Sequence, residues 1–180
     1  VVKGLSTRSH LAAGVPGSVA GLLDVLEKYG TMKRAQVMQP AIELAAKGIV
    51  LDRDLAESFA RRGQAFAMYP ASAAVFSKET GPYQVGDLWQ QPDLAASLER
   101  IKKQGKSGFY QGKTADLLVA EMQRGGGLIS HEDLRSYQSV WREPIRGTYR
   151  GHEIVSMPPP SSGGVLLVQM LNMLEAQDLA

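Results

Sequence analysis

Met157-Pro158-Pro159-Pro160-Ser161-Ser162-Gly163-Gly164 separates a strand-like run, 152–157, from an apolar helical run over about 164–176. Three prolines fix three φ angles and remove three backbone donors. Each also pushes the residue before it towards an extended conformation. Two serines and two glycines follow, with hydroxyls and bare backbone N–H groups. The stretch is a rigid lead-in to a helix N-terminus and permits close approach by an anion or another chain. Ser161 or Ser162 is expected to cap the helix, a contribution of about 1 kcal/mol.

Working outward, 145–149 and 152–157 are predicted strands, and Arg150-Gly151 joins them as a tight hairpin turn. The helix after the prolines is apolar nearly all round, with Val165, Leu166, Leu167, Val168, Met170, Leu171, Met173 and Leu174. Such a pattern predicts burial on most sides. Upstream the periodicity is helical. Val19, Leu22, Leu23 and Leu26 define a first helix that Gly30 stops, after an irregular lead-in over 1–14. A second covers 34–47, with a kink or a late start near Gln39 because Pro40 falls inside it. Asp52 caps a third that runs to about Met68. The region 70–86 is predicted mostly loop, with an extended piece at 74–76. Pro92 opens a fourth helix, 113–123 is a fifth, and Ser130 with Asp133 forms a capping box for a short one. The fold class is thus mostly α with a C-terminal β-hairpin. Residues 1–139 are mainly helical; 140–180 are a hairpin plus a buried helix.

The 180 residues suit one domain or one large piece of a bigger one, and 44% hydrophobic content is ordinary for a chain with a core. A net charge of +2 leaves no nucleic-acid footprint. The densest basic patch, Arg100, Lys102, Lys103 and Lys106, is expected to be a solvated helix face. With no cysteine, a disulfide scaffold, a thiolate nucleophile and zinc–sulfur sites are excluded. No apolar run reaches the length of a membrane span, and no signal peptide is visible. The chain starts at Val1 and stops at Ala180 within a helical pattern, so an excised portion of a longer protein is expected.

Candidate chemistry is sparse. Ser161 or Ser162 at a strand-to-helix turn suggests a nucleophile, but the turn lacks the leading glycine of Gly-x-Ser-x-Gly, and His152 is not placed to act as its base. Capping is the favoured role. His10, His131 and His152 have no metal-ligand spacing, and His131-Glu132-Asp133 belongs to a helix first turn, where acids suit the dipole. Gly125-Gly126-Gly127 lacks the Lys-Ser/Thr of a phosphate loop and is taken as a helix stop. Trp141 and Tyr149 are expected in core or cross-strand packing, and Glu43 and Asp116 as lone helical acids. No catalytic, substrate-binding or metal-ligating residue is assigned. The structural motif is Pro158, Pro159, Pro160, Ser161, Ser162, Gly163 and Gly164.

A set of strings resembles the γ-glutamyltransferase (γ-glutamyl transpeptidase) family: Ala13-Gly14-Val15-Pro16-Gly17, Lys28-Tyr29-Gly30, Gln39-Pro40-Ala41, Phe109-Tyr110-x-Gly112, Gly126-Gly127-Leu128-Ile129, Glu132-Asp133-Leu134, Tyr149-Arg150-Gly151 and 157–164. Their order and spacing follow the middle-to-late part of the family's large subunit. Ser9 departs from the family's usual glycine, with an expected effect on a local turn only. The resemblance implies a fragment of an αββα N-terminal-nucleophile hydrolase, made as a zymogen that cleaves itself into two subunits. The small subunit's N-terminal threonine would attack the γ-glutamyl amide of glutathione, with its own α-amine as base, and pass the acyl group to water, an amino acid or a peptide. The Thr-Thr/Ser-His processing motif is absent here, and the family's substrate-gripping arginine and oxyanion glycines fall outside the matched part. The implied partners are the remaining large-subunit segments and the small subunit, with a glutathione-type substrate for the whole enzyme. No cofactor is implied, and a periplasmic or secreted location follows from the resemblance alone. Self-association of the piece is expected from its apolar last helix. The alternatives are a cephalosporin (glutaryl) acylase of the same superfamily and a non-catalytic helical interaction module.

Overall fold

The computed structural model describes residues 4–177. The chain divides into two compact units, one ending at Ser139 and the other starting at Val140.

The first unit begins with α1 (Leu5–Arg8) and a 3₁₀ turn (His10–Ala12), where an irregular lead-in was expected. Ser9 organises this turn: its hydroxyl donates to the Leu5 carbonyl at 2.5 Å and accepts the Leu11 N–H at 3.2 Å. Then come α2 (Ser18–Tyr29) and α3 (Arg34–Lys47). Pro40 does not delay α3, which starts at Arg34 and continues through the proline. The start is fixed from outside, because the Arg34 guanidinium donates to the Lys102 and Lys103 carbonyls at 3.0 and 3.3 Å. β1 (Ile49–Val50) follows, then α4 (Arg53–Ala67), which Asp52 caps by accepting the Leu55 N–H at 2.9 Å.

Residues 70–86 are not mostly loop. They hold α5 (Pro70–Phe76), β2 (Ser77–Lys78) and β3 (Gly81–Pro82), the two strands paired antiparallel, and 74–76 are helical. Pro70 opens the helix, and an aromatic cluster holds it. Phe76 stacks on Phe66 at 4.5 Å, and Phe59 meets Phe76 and Trp89 edge-on at 5.3 and 5.0 Å. β4 (Leu88–Trp89) pairs with β1, Ile49 opposite Trp89. The unit closes with α6 (Pro92–Gln104), α7 (Ser107–Tyr110), α8 (Gly112–Gly125) and α9 (His131–Ser136). Ser130 and Asp133 form the capping box at the start of α9.

The unit has two small cores. One joins Ala20, Tyr110, Ala115, Val119, Ile129 and Leu134; the other joins Leu51, Ala56 and Phe59 beneath the aromatic cluster. Tyr110 stitches the first together: its hydroxyl donates to the Pro16 carbonyl at 2.6 Å and accepts the Ala20 N–H at 3.1 Å. The basic patch is a solvated face only in part: Lys103 and Lys106 are exposed, whereas Arg100 and Lys102 are half-buried. Arg100 donates to Thr114 and Ser97, both at 2.8 Å, and Lys102 bridges Glu99 and Gln39. Lys106 pairs with Asp24 at 2.5 Å, and Asp24 also accepts from Ser139. Lys103 stays in solvent, with its side chain 73% exposed and Glu99 of the same helix 3.9 Å away.

The second unit is a hairpin, β5 (Ile145–Tyr149) and β6 (His152–Ser156), followed by α10 (Gly163–Leu174). The register runs from Ile145 opposite Ser156 to Tyr149 opposite His152. Arg150 and Gly151 both have positive φ, 47° and 79°, as a two-residue turn matched to strand twist requires. α10 lies close on the hairpin at Gly147, where an added Cβ would meet Val168 Cγ1 at 2.8 Å. The hairpin alone does not bury α10, whose burial is expected against other segments of a longer protein. Among its residues only Gly164 is buried, and Met173 is 69% exposed. One two-stranded hairpin is too narrow to cover a helix that is apolar all round. Trp141, expected in core or cross-strand packing, is 53% exposed.

Candidate functional site

The turn leading into α10 is tightly built. β6 ends at Ser156, and the Ser161 N–H returns to the Pro158 carbonyl at 3.2 Å, closing a turn around the cis Pro159–Pro160 bond. Gly164 carries the closest approach: an added Cβ would sit 2.1 Å from the Met157 carbonyl oxygen. The strand end therefore crosses directly over the first helical turn, and only a residue without a side chain fits.

Neither serine caps the helix as expected. Ser162 occupies the N-cap position at φ −77°, ψ −17° and makes no side-chain capping bond. An N-cap hydroxyl reaches the exposed N–H groups from an extended backbone, and Ser162 is already helical. Its carbonyl accepts the Leu166 N–H at 3.0 Å instead. Ser161 Oγ accepts only a long bond, 3.4 Å, from the Gly163 N–H. Both serines are exposed.

His10 and His131 are engaged by separate acids. His10 Nε2 lies 2.7 Å from Glu121 Oε1, and Arg124 Nε donates to Glu121 Oε2 at 2.7 Å. The Arg124 and His10 hydrogen bonds hold the Glu121 carboxyl well below the usual range, at about 2. His10 also explains Gly125 and Gly127. A Cβ at Gly125 would fall 2.2 Å from the His10 ring, one at Gly127 2.5 Å from Met122 Sδ, and Gly126 takes a φ of 71° to end α8. Sequence reasoning found only the stop, because the His10 contact spans more than a hundred residues.

Asp116 is not a lone acid: His131 Nε2 lies 3.0 Å from its Oδ1. Glu43 is not alone either, accepting from Gln39 at 3.0 Å and Lys47 at 3.1 Å. Those two bonds lower its pKa, Gln39 first. His152 sits on β6 opposite Tyr149. A cleft of about 530 Å³ opens beside His10, lined also by Thr7, Ser9, Arg62 and Tyr69. The Thr7 and Ser9 hydroxyls are committed to backbone, Thr7 to the Gly4 carbonyl at 3.3 Å and Ser9 to Leu5. Among the described residues, no group of three or more His, Cys, Asp or Glu side chains is arranged to hold a metal ion.

A sequence profile described as Gamma-glutamyltranspeptidase matches residues 2–180. The chain belongs to the γ-glutamyltranspeptidase family. It is 47% identical over 175 residues to the glutathione hydrolase proenzyme of Escherichia coli (strain K12), an alignment covering 97% of this chain and 30% of that protein. The Acylase ACY 1 proenzyme of Pseudomonas sp. (strain SE83) is 42% identical over 93% of this chain and 30% of its own length. The crystal structure of Helicobacter pylori γ-glutamyltranspeptidase superposes with a TM-score of 0.96 at 48% identity, covering all of this chain and 52% of that one. The chain thus spans under a third of the curated γ-glutamyltranspeptidase relatives it matches and about half of the solved chain. No helix among the described residues is long and apolar enough to cross a membrane.

Proposed function

We propose that this chain is supporting framework of a γ-glutamyltranspeptidase, an enzyme that cleaves the γ-glutamyl amide of glutathione and passes the acyl group to water, an amino acid or a peptide. The observation that carries this reading is the family match along residues 2–180 together with 47% identity to a glutathione hydrolase proenzyme. In this reading the chain supplies no catalytic or substrate-binding residue. The nucleophilic threonine, its amine base and the oxyanion donors belong to the small subunit of the same precursor, and the helices and hairpin here are layers of an αββα fold. The stretch 158–164 acts as a structural hinge-point that fixes how α10 leaves β6. His10 and His131 are engaged by Glu121 and Asp116 and not by a serine or threonine hydroxyl, which supports this, as do the backbone commitments of Thr7 and Ser9. A periplasmic or secreted location goes with the same reading.

Two experiments test it. The 180 residues alone are expected to show no turnover of a γ-glutamyl anilide; turnover above background would place catalysis inside this chain. Substituted for the matching segment of the E. coli proenzyme, the chain is expected to permit self-cleavage and γ-glutamyl turnover. A chimera that folds but never matures would remove the framework reading. The acylase relative supports a second reading with the same scaffold and a glutaryl-type substrate. A chimera in the acylase precursor that matures, where the glutathione hydrolase chimera does not, would favour it.

A further inference from the structure

Helix α2 turns part of its apolar surface outward. The residue it buries is Ala20, whereas Leu22 is 70% exposed and Val25 and Tyr29 are also exposed. Helices of closed domains turn their large apolar residues inward. Here those residues instead form one wall of a groove of about 450 Å³, whose other wall is Val37 and Met38 of α3 with Leu98 of α6. No charged side chain lines it.

We infer that this groove seats an apolar, uncharged surface of another segment of the same precursor polypeptide. The inference rests on the proposal that the chain works inside a longer γ-glutamyltranspeptidase, and it assigns the place of contact. The relatives point to the occupant: the matched part is 30% of the E. coli proenzyme, so a precursor of that length carries most of its polypeptide outside this chain. An uncharged lining also selects against a charged small ligand, because desolvating its charge would go uncompensated.

The test uses Leu22→Lys and Val25→Lys, singly and together, with Leu22→Met as the conservative control. Each is made in the isolated chain and in the E. coli chimera. Because Leu22 and Val25 face outward, the isolated chain is expected to keep its helical circular dichroism and to bind less of an apolar dye. In the chimera the lysines are expected to lower the yield of mature enzyme about tenfold or more, since a cation would be buried without a partner. Leu22→Met is expected to mature normally. An unsubstituted chimera that fails to mature sinks the framework proposal, independently of the groove. Lysine chimeras that mature as well as the unsubstituted one overturn the groove assignment. Lysines that dissolve a dimer of the isolated chain while sparing the chimera assign the groove to a second copy and overturn it likewise.

Discussion

Gly164 and Glu121 show how single residues constrain this chain. The Met157 carbonyl leaves no room for a β-carbon at Gly164, so Gly164→Ala must push the strand end off the helix. The expected loss is about 1–3 kcal/mol of unfolding free energy, read by denaturant titration. Glu121 acts through charge. Arg124 and His10 depress its pKa to about 2, below the ordinary carboxylate value of about 4.3. A depressed carboxylate contributes stability that is fully present above the unfolded-state value and is lost as pH falls through the folded one. Stability is therefore expected to decline between about pH 4.5 and pH 2, and Glu121→Gln should flatten that part of the profile in thermal melts. If the variant declines just as steeply, the Glu121 cluster is not the source.

At the scale of elements, caps divide by geometry more than by residue type. Asp52 and Ser130 sit at extended N-cap positions and accept N–H bonds, whereas Ser162 does neither. Asp52→Ala and Ser130→Ala are each expected to cost about 1 kcal/mol, and Ser162→Ala close to nothing, in paired unfolding measurements. Asp52 and the Ser130–Asp133 box were legible because a cap is a signal written within four residues. The hairpin turn was legible for the same reason, since Arg150-Gly151 needs two positive φ angles side by side. The helix at 70–76 was not. Its sequence, Pro-Ala-Ser-Ala-Ala-Val-Phe, is neutral locally, and what fixes it is Phe76 meeting Phe59, Phe66 and Trp89 from other elements. Gly125 and Gly127 likewise make sense only beside His10.

Taken whole, the chain has small cores and a large apolar surface. Leu22, Val25, Met170 and Met173 are all exposed. The purified 180 residues are therefore expected to associate as concentration rises and to bind an apolar dye strongly, both measurable by light scattering and fluorescence. A strictly monomeric, dye-silent chain would contradict this. The family was legible in the sequence through eight short strings, and so was the apolar character of α10; a helical pattern reports that a face is apolar, not which segment covers it.

Tyr110 has one more consequence. Its phenol grips the backbone of Pro16 and Ala20, positions about ninety residues earlier in the chain. A protease that nicks the backbone anywhere in the intervening stretch would leave two pieces still clasped at that ring, so they should travel together on a sizing column until denaturant parts them.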